Sequence, residues 1–302
     1  MHWSLGVVHV VHVAHALRAA RHVVWAASAV GLNAGRVALR ARGKQPETRR
    51  EGRLVFVVGS PRSGTSFVGS SLGSQPAFVD LGEVPLLKAA LPRLVRRPVE
   101  AQARTIRRIV EAVRRLGFAH GLRGVEQNPE TSFVLAGALR AYPGATALHV
   151  IRDGRDVVCS LLERGWLRPD RPGADDANQS YGAHARFWVE PERRAEFETS
   201  SEATRAAWAW RSYVTAARSA PARTVDLRYE ALVDDPAAEA ERVAKALGTD
   251  PAPLRAAFGN VHGDSIGRWR RELTPEQLAD VEAEAGGLLA EMGYTSDTAT
   301  LA

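Results

Sequence analysis

Unbroken apolar runs along the chain alternate with stretches in which apolar residues return every three or four positions. Residues 54–58, Leu-Val-Phe-Val-Val, form the clearest run; β-branched or aromatic apart from Leu54, they predict a strand covered on both faces. Gly59, Ser60, Pro61 and Gly64 break it, and from Thr65 to Leu72 the positions of Phe67, Val68 and Leu72 suit a helix. The alternation then repeats. Strands are predicted over 77–81, 146–151 and 223–227, with a short extended segment leading into 124–129. Helices are predicted over 84–97 (interrupted at Pro85 and Pro92), 101–116, 130–141, after Asp153, over 202–218 and 237–247, and from Thr274 with Pro275 at its first position. Strands separated by helices predict an α/β fold, P-loop-like and three-layered, with a central, mostly parallel sheet flanked by helices.

Two stretches follow neither pattern. In residues 1–50 the apolar positions are interrupted by His9, His12, His15, Arg18, His22, Arg36, Arg40 and Arg42, most of which share one side of a helical wheel. The longest apolar stretch there, residues 23–32, is too short to span a bilayer, and the interruptions argue against a cleavable signal peptide. A basic amphipathic helix that lies on a membrane surface, or packs on the following domain, is the expectation, with residues 44–52 as linker. The domain boundaries are accordingly 1–50 for this segment and linker and 51–302 for the α/β domain. Residues 167–201 carry prolines, a glycine and scattered aromatics with no clear period.

Composition narrows the function. The chain has 302 residues, 45% hydrophobic and 25% charged, which suits a globular protein with a substantial core. Forty basic against 34 acidic residues leave a net charge of +6, which fits a polyanionic ligand, an acidic substrate or an anionic membrane. The arginines are dispersed and no nucleic-acid motif accompanies them, so nucleic acid is not expected as a partner. The single cysteine, Cys159, excludes an intrachain disulfide framework and cysteine-rich zinc sites, and suits a reducing, cytoplasmic location; the N-terminal helix adds peripheral membrane association as an expectation. No metal site is expected; the N-terminal histidines lack a carboxylate or cysteine partner.

The strand–turn–helix at 54–72 is an anion site in outline, because unpaired N–H groups at the turn and helix start converge where the helix dipole is positive. Gly59 and Gly64 have the glycine spacing of a nucleotide P-loop, yet Thr65-Ser66 follows where Lys-Ser or Lys-Thr would stand. The cation lies inside the loop instead, at Arg62, where a guanidinium can fork onto an oxyanion. A second block, Ile151-Arg152-Asp153-Gly154-Arg155-Asp156-Val157-Val158-Cys159-Ser160, places Arg152 at a strand end and Ser160 and Arg164 one turn apart on a helix face. These three could meet one phosphate at the carboxyl edge of the sheet, while Asp153 and Asp156 read as local cap and ion-pair residues.

The Pro61-Arg62-Ser63-Gly64-Thr65 loop resembles the 5′-phosphosulfate loop of sulfotransferases that use 3′-phosphoadenosine 5′-phosphosulfate (PAPS), the protein-tyrosine branch among them. The Arg152 to Ser160 block resembles the family's 3′-phosphate motif, Arg228-Tyr229-Glu230 its block near the adenine, and Ser265 to Leu273 its late cofactor-covering loop. The resemblance runs in order over roughly residues 53–294. It implies sulfuryl transfer from PAPS to a hydroxyl or amine of a small-molecule, carbohydrate, lipid or peptide acceptor. Cofactor contacts are implied for Arg62, Ser63, Gly64, Thr65, Ser66, Arg152, Ser160, Arg164, Tyr229, Arg268, Trp269 and Arg270, with Arg62 also stabilising the leaving group. Glu83, after Gly82, corresponds to the catalytic glutamate of the tyrosine enzymes and is the expected base; His120, His149 and His184 are alternatives. Gln127 stands where relatives often carry a lysine. Two further readings remain beside this one: a P-loop kinase or NTPase, and a nucleotide-binding protein without catalysis.

Overall fold

The computed structural model describes residues 24–36, 39, 54–76, 78–117, 119, 121–168 and 188–294. The histidines up to His22, the linker at 44–52, His120 and His184 lie outside the described residues. A helix over 24–36 (α1) comes first. It is followed by β1 (Leu54–Val58), α2 (Thr65–Gly73), β2 (Phe78–Gly82), α3 (Pro85–Leu94), α4 (Val99–Leu116) and β3 (Arg123–Glu126). Next come α5 (Leu135–Ala141), β4 (Thr146–Ile151), α6 (Gly154–Arg164), α7 (Arg194–Thr199), α8 (Glu202–Ala217) and β5 (Thr224–Arg228). The chain closes with α9 (Tyr229–Asp234), α10 (Pro236–Leu247), α11 (Pro251–Phe258), α12 (Trp269–Glu272) and α13 (Pro275–Glu291).

The strands form one sheet in the order β2-β3-β1-β4-β5. The α/β class expected from the alternating pattern is the one observed. All five residues of β1 are fully buried, which is what their unbroken apolar run requires of a central strand. Fully burying each such side chain contributes roughly 1.5–3 kcal/mol.

By packing, the chain divides into two units: the residues up to Val57 with Gly69–Ala147, and Val58–Val68 with Leu148–Ala302. In the first, β3 pairs in parallel with both β1 and β2, with an irregularity in β2 between Asp80 and Gly82. Gly82 turns there at φ 65°, and its N–H donates to Asp80 Oδ1 at 2.7 Å. α4 buries Ala103, Ile106, Val110 and Val113 together with the Arg114 side chain, and turns Arg104, Arg107, Arg108 and Arg115 outward. The helix predicted over 130–141 opens instead as a 3-10 turn, Pro129–Val134, before α5. The cause is Glu126, whose carboxyl accepts from Asn128 N and Thr131 Oγ1, both at 2.9 Å, and pins the turn.

In the second unit β4 runs into α6, capped by Asp153, whose side chain accepts from Arg155 N at 2.9 Å. α8 supplies the core with Trp208, Trp210 and Tyr213. Gly154 permits this contact, since a Cβ there would lie 2.6 Å from the Trp210 ring. The Trp210 Nε1–H donates to the Arg152 carbonyl at 3.0 Å, fixing the backbone where β4 ends. α13 starts at Pro275, as the sequence predicted, and the structure adds a capping box between Thr274 and Gln277.

Candidate functional site

The loop after β1 belongs to the second unit, together with the end of β4. Gly59 (φ 138°) lies so near β4 that a Cβ would sit 2.4 Å from the Val150 carbonyl oxygen. Gly64 (φ 100°) lies against Tyr229, with 2.7 Å from a built Cβ to the ring. Both glycines are therefore demanded twice, by φ and by space. Between them Arg62 has φ 72°, alone in positive φ among the described non-glycine residues. For a residue with a Cβ that conformation costs about 1–2 kcal/mol, the kind of local strain found at functional loops. Ser63 N–H donates to Ser60 O at 3.1 Å and closes the turn. The Val68 N–H of α2 donates back to Gly64 O, just before the helix, at 3.1 Å. The N–H groups just before that of Val68 have no acceptor within the helix, as at any helix start.

Strain at Arg62 places its guanidinium. Its Nε donates to Ser160 Oγ of α6 at 3.0 Å, joining two positions 98 residues apart. Arg152 Nη1 donates to the Arg62 carbonyl at 3.2 Å, and its Nη2 to the Ser265 carbonyl. The two sequence blocks thus form one cluster. Burial, followed by the charges of Arg164 and Arg152, pulls the Arg62 guanidinium below its usual value; Glu163 opposes this and Arg268 adds to it. A group of cations that destabilise one another favours an anion among them. Two buried polar atoms here also lack a hydrogen-bond partner, Arg152 Nε and Ser63 Oγ. Arg152 is 5% exposed and Ser63 fully buried. Such donors are costly unless a ligand or water meets them.

The remaining predicted cofactor residues surround this cluster in different ways. Thr65 is buried, Ser66 and Arg164 exposed. Arg152 lies over the Tyr229 ring at 5.0 Å, and Tyr229 OH donates to the His262 carbonyl at 2.7 Å. Arg268 pairs with Glu163 at 3.0 Å and with Glu272 at 2.6 Å. The Trp269 ring lies 4.0 Å from the Arg155 guanidinium carbon and 4.6 Å from that of Arg270. Asp156, read from the sequence as a local cap, instead reaches far along the chain. Its carboxylate accepts from Gly267 N at 2.7 Å and Trp269 N at 3.1 Å, anchoring the late basic loop. Glu230 was likewise legible only as part of a motif; it accepts from Asp153 N at 2.8 Å and Tyr294 OH at 3.0 Å.

Glu83 lies in the first unit, at the turn between β2 and α3. Its Oε2 meets Lys88 Nζ at 3.1 Å, and Lys88 also reaches Glu130 Oε1 at 3.6 Å. Lys88 is 9% exposed and Glu130 3%, a buried ion network that sequence inspection missed because its members come from three separate segments. Nearby in sequence, the Glu126 carboxyl is pushed up to about 8, chiefly by burial, with its hydrogen bonds to Asn128 and Thr131 opposing. Gln127 donates from Nε2 to Asp80 Oδ1 at 3.2 Å, and a Cβ on Gly69 would fall 2.5 Å from its Oε1. Of the alternative bases, His149 is fully buried in β4 with Nδ1 3.1 Å from Asp226 Oδ1.

Comparison with known proteins bears on the family and the fold. A family model described as the sulfotransferase family matches residues 99–253, a stretch that includes Arg152, Ser160, Arg164 and Tyr229. Among solved structures, the sulfotransferase domain from the curacin biosynthetic pathway is similar with a TM-score of 0.51 and 14% identity, over 82% of this chain and 99% of that one. The sulfotransferase domain from the Synechococcus PCC 7002 olefin synthase gives 0.46 and 16% identity, over 80% and 97%. A sulfotransferase from Mycobacterium tuberculosis H37Rv gives 0.43 and 18%, over 87% and 84%. A search of the curated proteins finds no match. With over half of its length matched by the family model, and with the fold shared, the chain belongs to the sulfotransferase family.

Proposed function

We propose that the chain transfers a sulfuryl group from PAPS to a hydroxyl or amine acceptor. The observation that carries this reading is the bond from Arg62 Nε to Ser160 Oγ, which unites the phosphosulfate-type loop with the 3′-phosphate-type block. The surplus of cations around Arg62, and the partnerless Arg152 Nε and Ser63 Oγ, fit a ligand with two separate anionic groups.

PAPS brings the sulfuryl group already activated, so the protein must chiefly orient it and stabilise charge on the leaving oxygen. Arg62, the N–H groups of Gly64, Thr65 and Ser66, and the Ser63 hydroxyl would hold the phosphosulfate end. Ser63 acts through its hydroxyl because its N–H closes the turn. Arg152, Ser160 and Arg164 would hold the 3′-phosphate. Tyr229 positions Arg152 and backs Gly64, while Arg268, Trp269 and Arg270 belong to the covering loop, Trp269 acting as a post between Arg155 and Arg270. Glu83 would accept the acceptor proton, its carboxylate oriented by Lys88.

Titration calorimetry with adenosine 3′,5′-bisphosphate against ATP tests the donor class. The expected result is metal-independent binding of the bisphosphate, weakened in Ser160→Ala, and little binding of ATP. A preference for ATP with Mg²⁺ would return the loop to the kinases and NTPases. Bisphosphate binding without turnover on any acceptor would favour the non-catalytic reading.

A further inference from the structure

α1 is amphipathic in an inverted sense. It buries the small residues Ala26, Ala27 and Ala34 with Val30, and leaves Val24, Trp25 and Leu32 at 63%, 59% and 68% exposed. At helical spacing those three, with Ser28, Gly35 and Arg36, occupy one arc opposite the buried one. Leu39, just beyond, is 82% exposed. A helix that served only the core would turn its large apolar residues inward.

The first unit also shows what lies beside this face. α1 rests on Gly117, the C-cap of α4, where a Cβ would meet Val30 Cγ1 at 2.6 Å and the Ala27 carbonyl oxygen at 3.0 Å. Leu116 of α4, immediately before this contact, is 56% exposed as well. Upstream, Arg104, Arg107, Arg108 and Arg115 line a shallow groove of about 420 Å³ with Glu111 and Ala112. None of these four arginines is in an ion pair among the described residues. The one acid of the groove is already engaged, since Glu111 pairs with Arg114 at 2.9 Å and accepts from Tyr142 OH at 3.2 Å.

A tryptophan and a leucine exposed on α1, with α4 arginines in the same unit that have no ion pair among the described residues, match an anionic bilayer: apolar groups enter the acyl boundary, and guanidinium groups stay with the headgroup phosphates and carboxylates. No helix among the described residues is long and apolar enough to cross a membrane, so the contact would be peripheral. We infer that α1 and α4 together dock this protein on an anionic membrane surface, with Trp25 and Leu32 inserted and Arg104, Arg107, Arg108 and Arg115 on the headgroups.

Co-sedimentation of the full chain with phosphatidylcholine vesicles, with and without phosphatidylserine, tests this. Binding is expected only with phosphatidylserine and should weaken with salt. Each arginine removed should lower the partition coefficient roughly fivefold. Arg107→Glu with Arg108→Glu should abolish binding, and Trp25→Ser with Leu32→Ser should weaken it at constant charge. All four side chains are exposed, so unchanged melting temperatures should accompany these losses. Equal binding to neutral vesicles, or binding insensitive to both variant pairs, would overturn the inference. So would failure to bind vesicles while a soluble polyanion such as heparin or RNA binds through the same arginines.

Discussion

Asp156 Oδ2 accepts a hydrogen bond from the backbone N–H of Gly267 at 2.7 Å, across 111 residues of sequence. With the bond from Trp269 N to the other oxygen, a side chain on α6 fixes the backbone of the loop that carries Arg268 and Arg270. Asp156→Ala removes both acceptors. Hydrogen bonds to a charged group contribute about 1.5–3 kcal/mol each, so the variant should bind adenosine 3′,5′-bisphosphate at least tenfold more weakly. Amide exchange at Gly267 and Trp269 should quicken. Unchanged affinity by calorimetry would show that the loop plays no part in holding the nucleotide.

Arg62→Gly separates strain from function. Glycine adopts φ 72° freely and relieves the crowding with Arg152 and Arg164, which offsets the entropy that glycine adds to the unfolded chain. The melting temperature should hold or rise while bisphosphate binding is lost. A fall of several degrees with binding retained would mean that Arg62 serves the fold instead.

Gly64→Ala should destabilise the protein by roughly 1–3 kcal/mol, from positive φ and from collision with Tyr229 together. In the Tyr229→Ala background the collision is absent and only the φ term remains. Denaturant titration of the double-mutant cycle should therefore show a smaller Gly64→Ala penalty there. Equal penalties in both backgrounds would argue that the ring simply moves aside.

Glu126 gives a pH dependence. Its folded value, pushed up from 4.5 to about 8, means that in this window the native state keeps a proton the unfolded chain releases. Stability should then fall as pH rises through the window, by up to about 1.4 kcal/mol per pH unit from this group. Glu126→Gln cannot ionise and should flatten that slope. Thermal denaturation of both proteins from acid to mildly alkaline pH checks it, and parallel curves would sink the assignment.

Lys88→Met should lower turnover more than donor affinity if Lys88 orients the Glu83 carboxylate, and Glu83→Gln should remove turnover while leaving bisphosphate binding intact. Steady-state rates with any accepted substrate, beside calorimetry, separate the two effects. Normal turnover in Glu83→Gln would take Glu83 out of the mechanism.

The sequence by itself determined the elements and the loop chemistry. An unbroken apolar run leaves a strand no exposed face, so β1 could be read directly, and Gly59 and Gly64 marked a turn. The predicted helix at 130–141 was partly misread because its first turn is set by Glu126, through hydrogen bonds that no periodicity records. Only the packing of the chain decided which polar groups meet. Arg62 and Ser160 are strangers in sequence; their contact exists because β1 and β4 lie side by side and release their loops at the same sheet edge, and Asp156 meets Gly267 only because the segment before α12 packs back on α6. It also decided that Lys88 would bridge Glu83 and Glu130, since a buried ammonium must find carboxylates wherever the packing brings them. Local pattern reports what each residue asks of its surroundings, and the packed chain determines which residue answers.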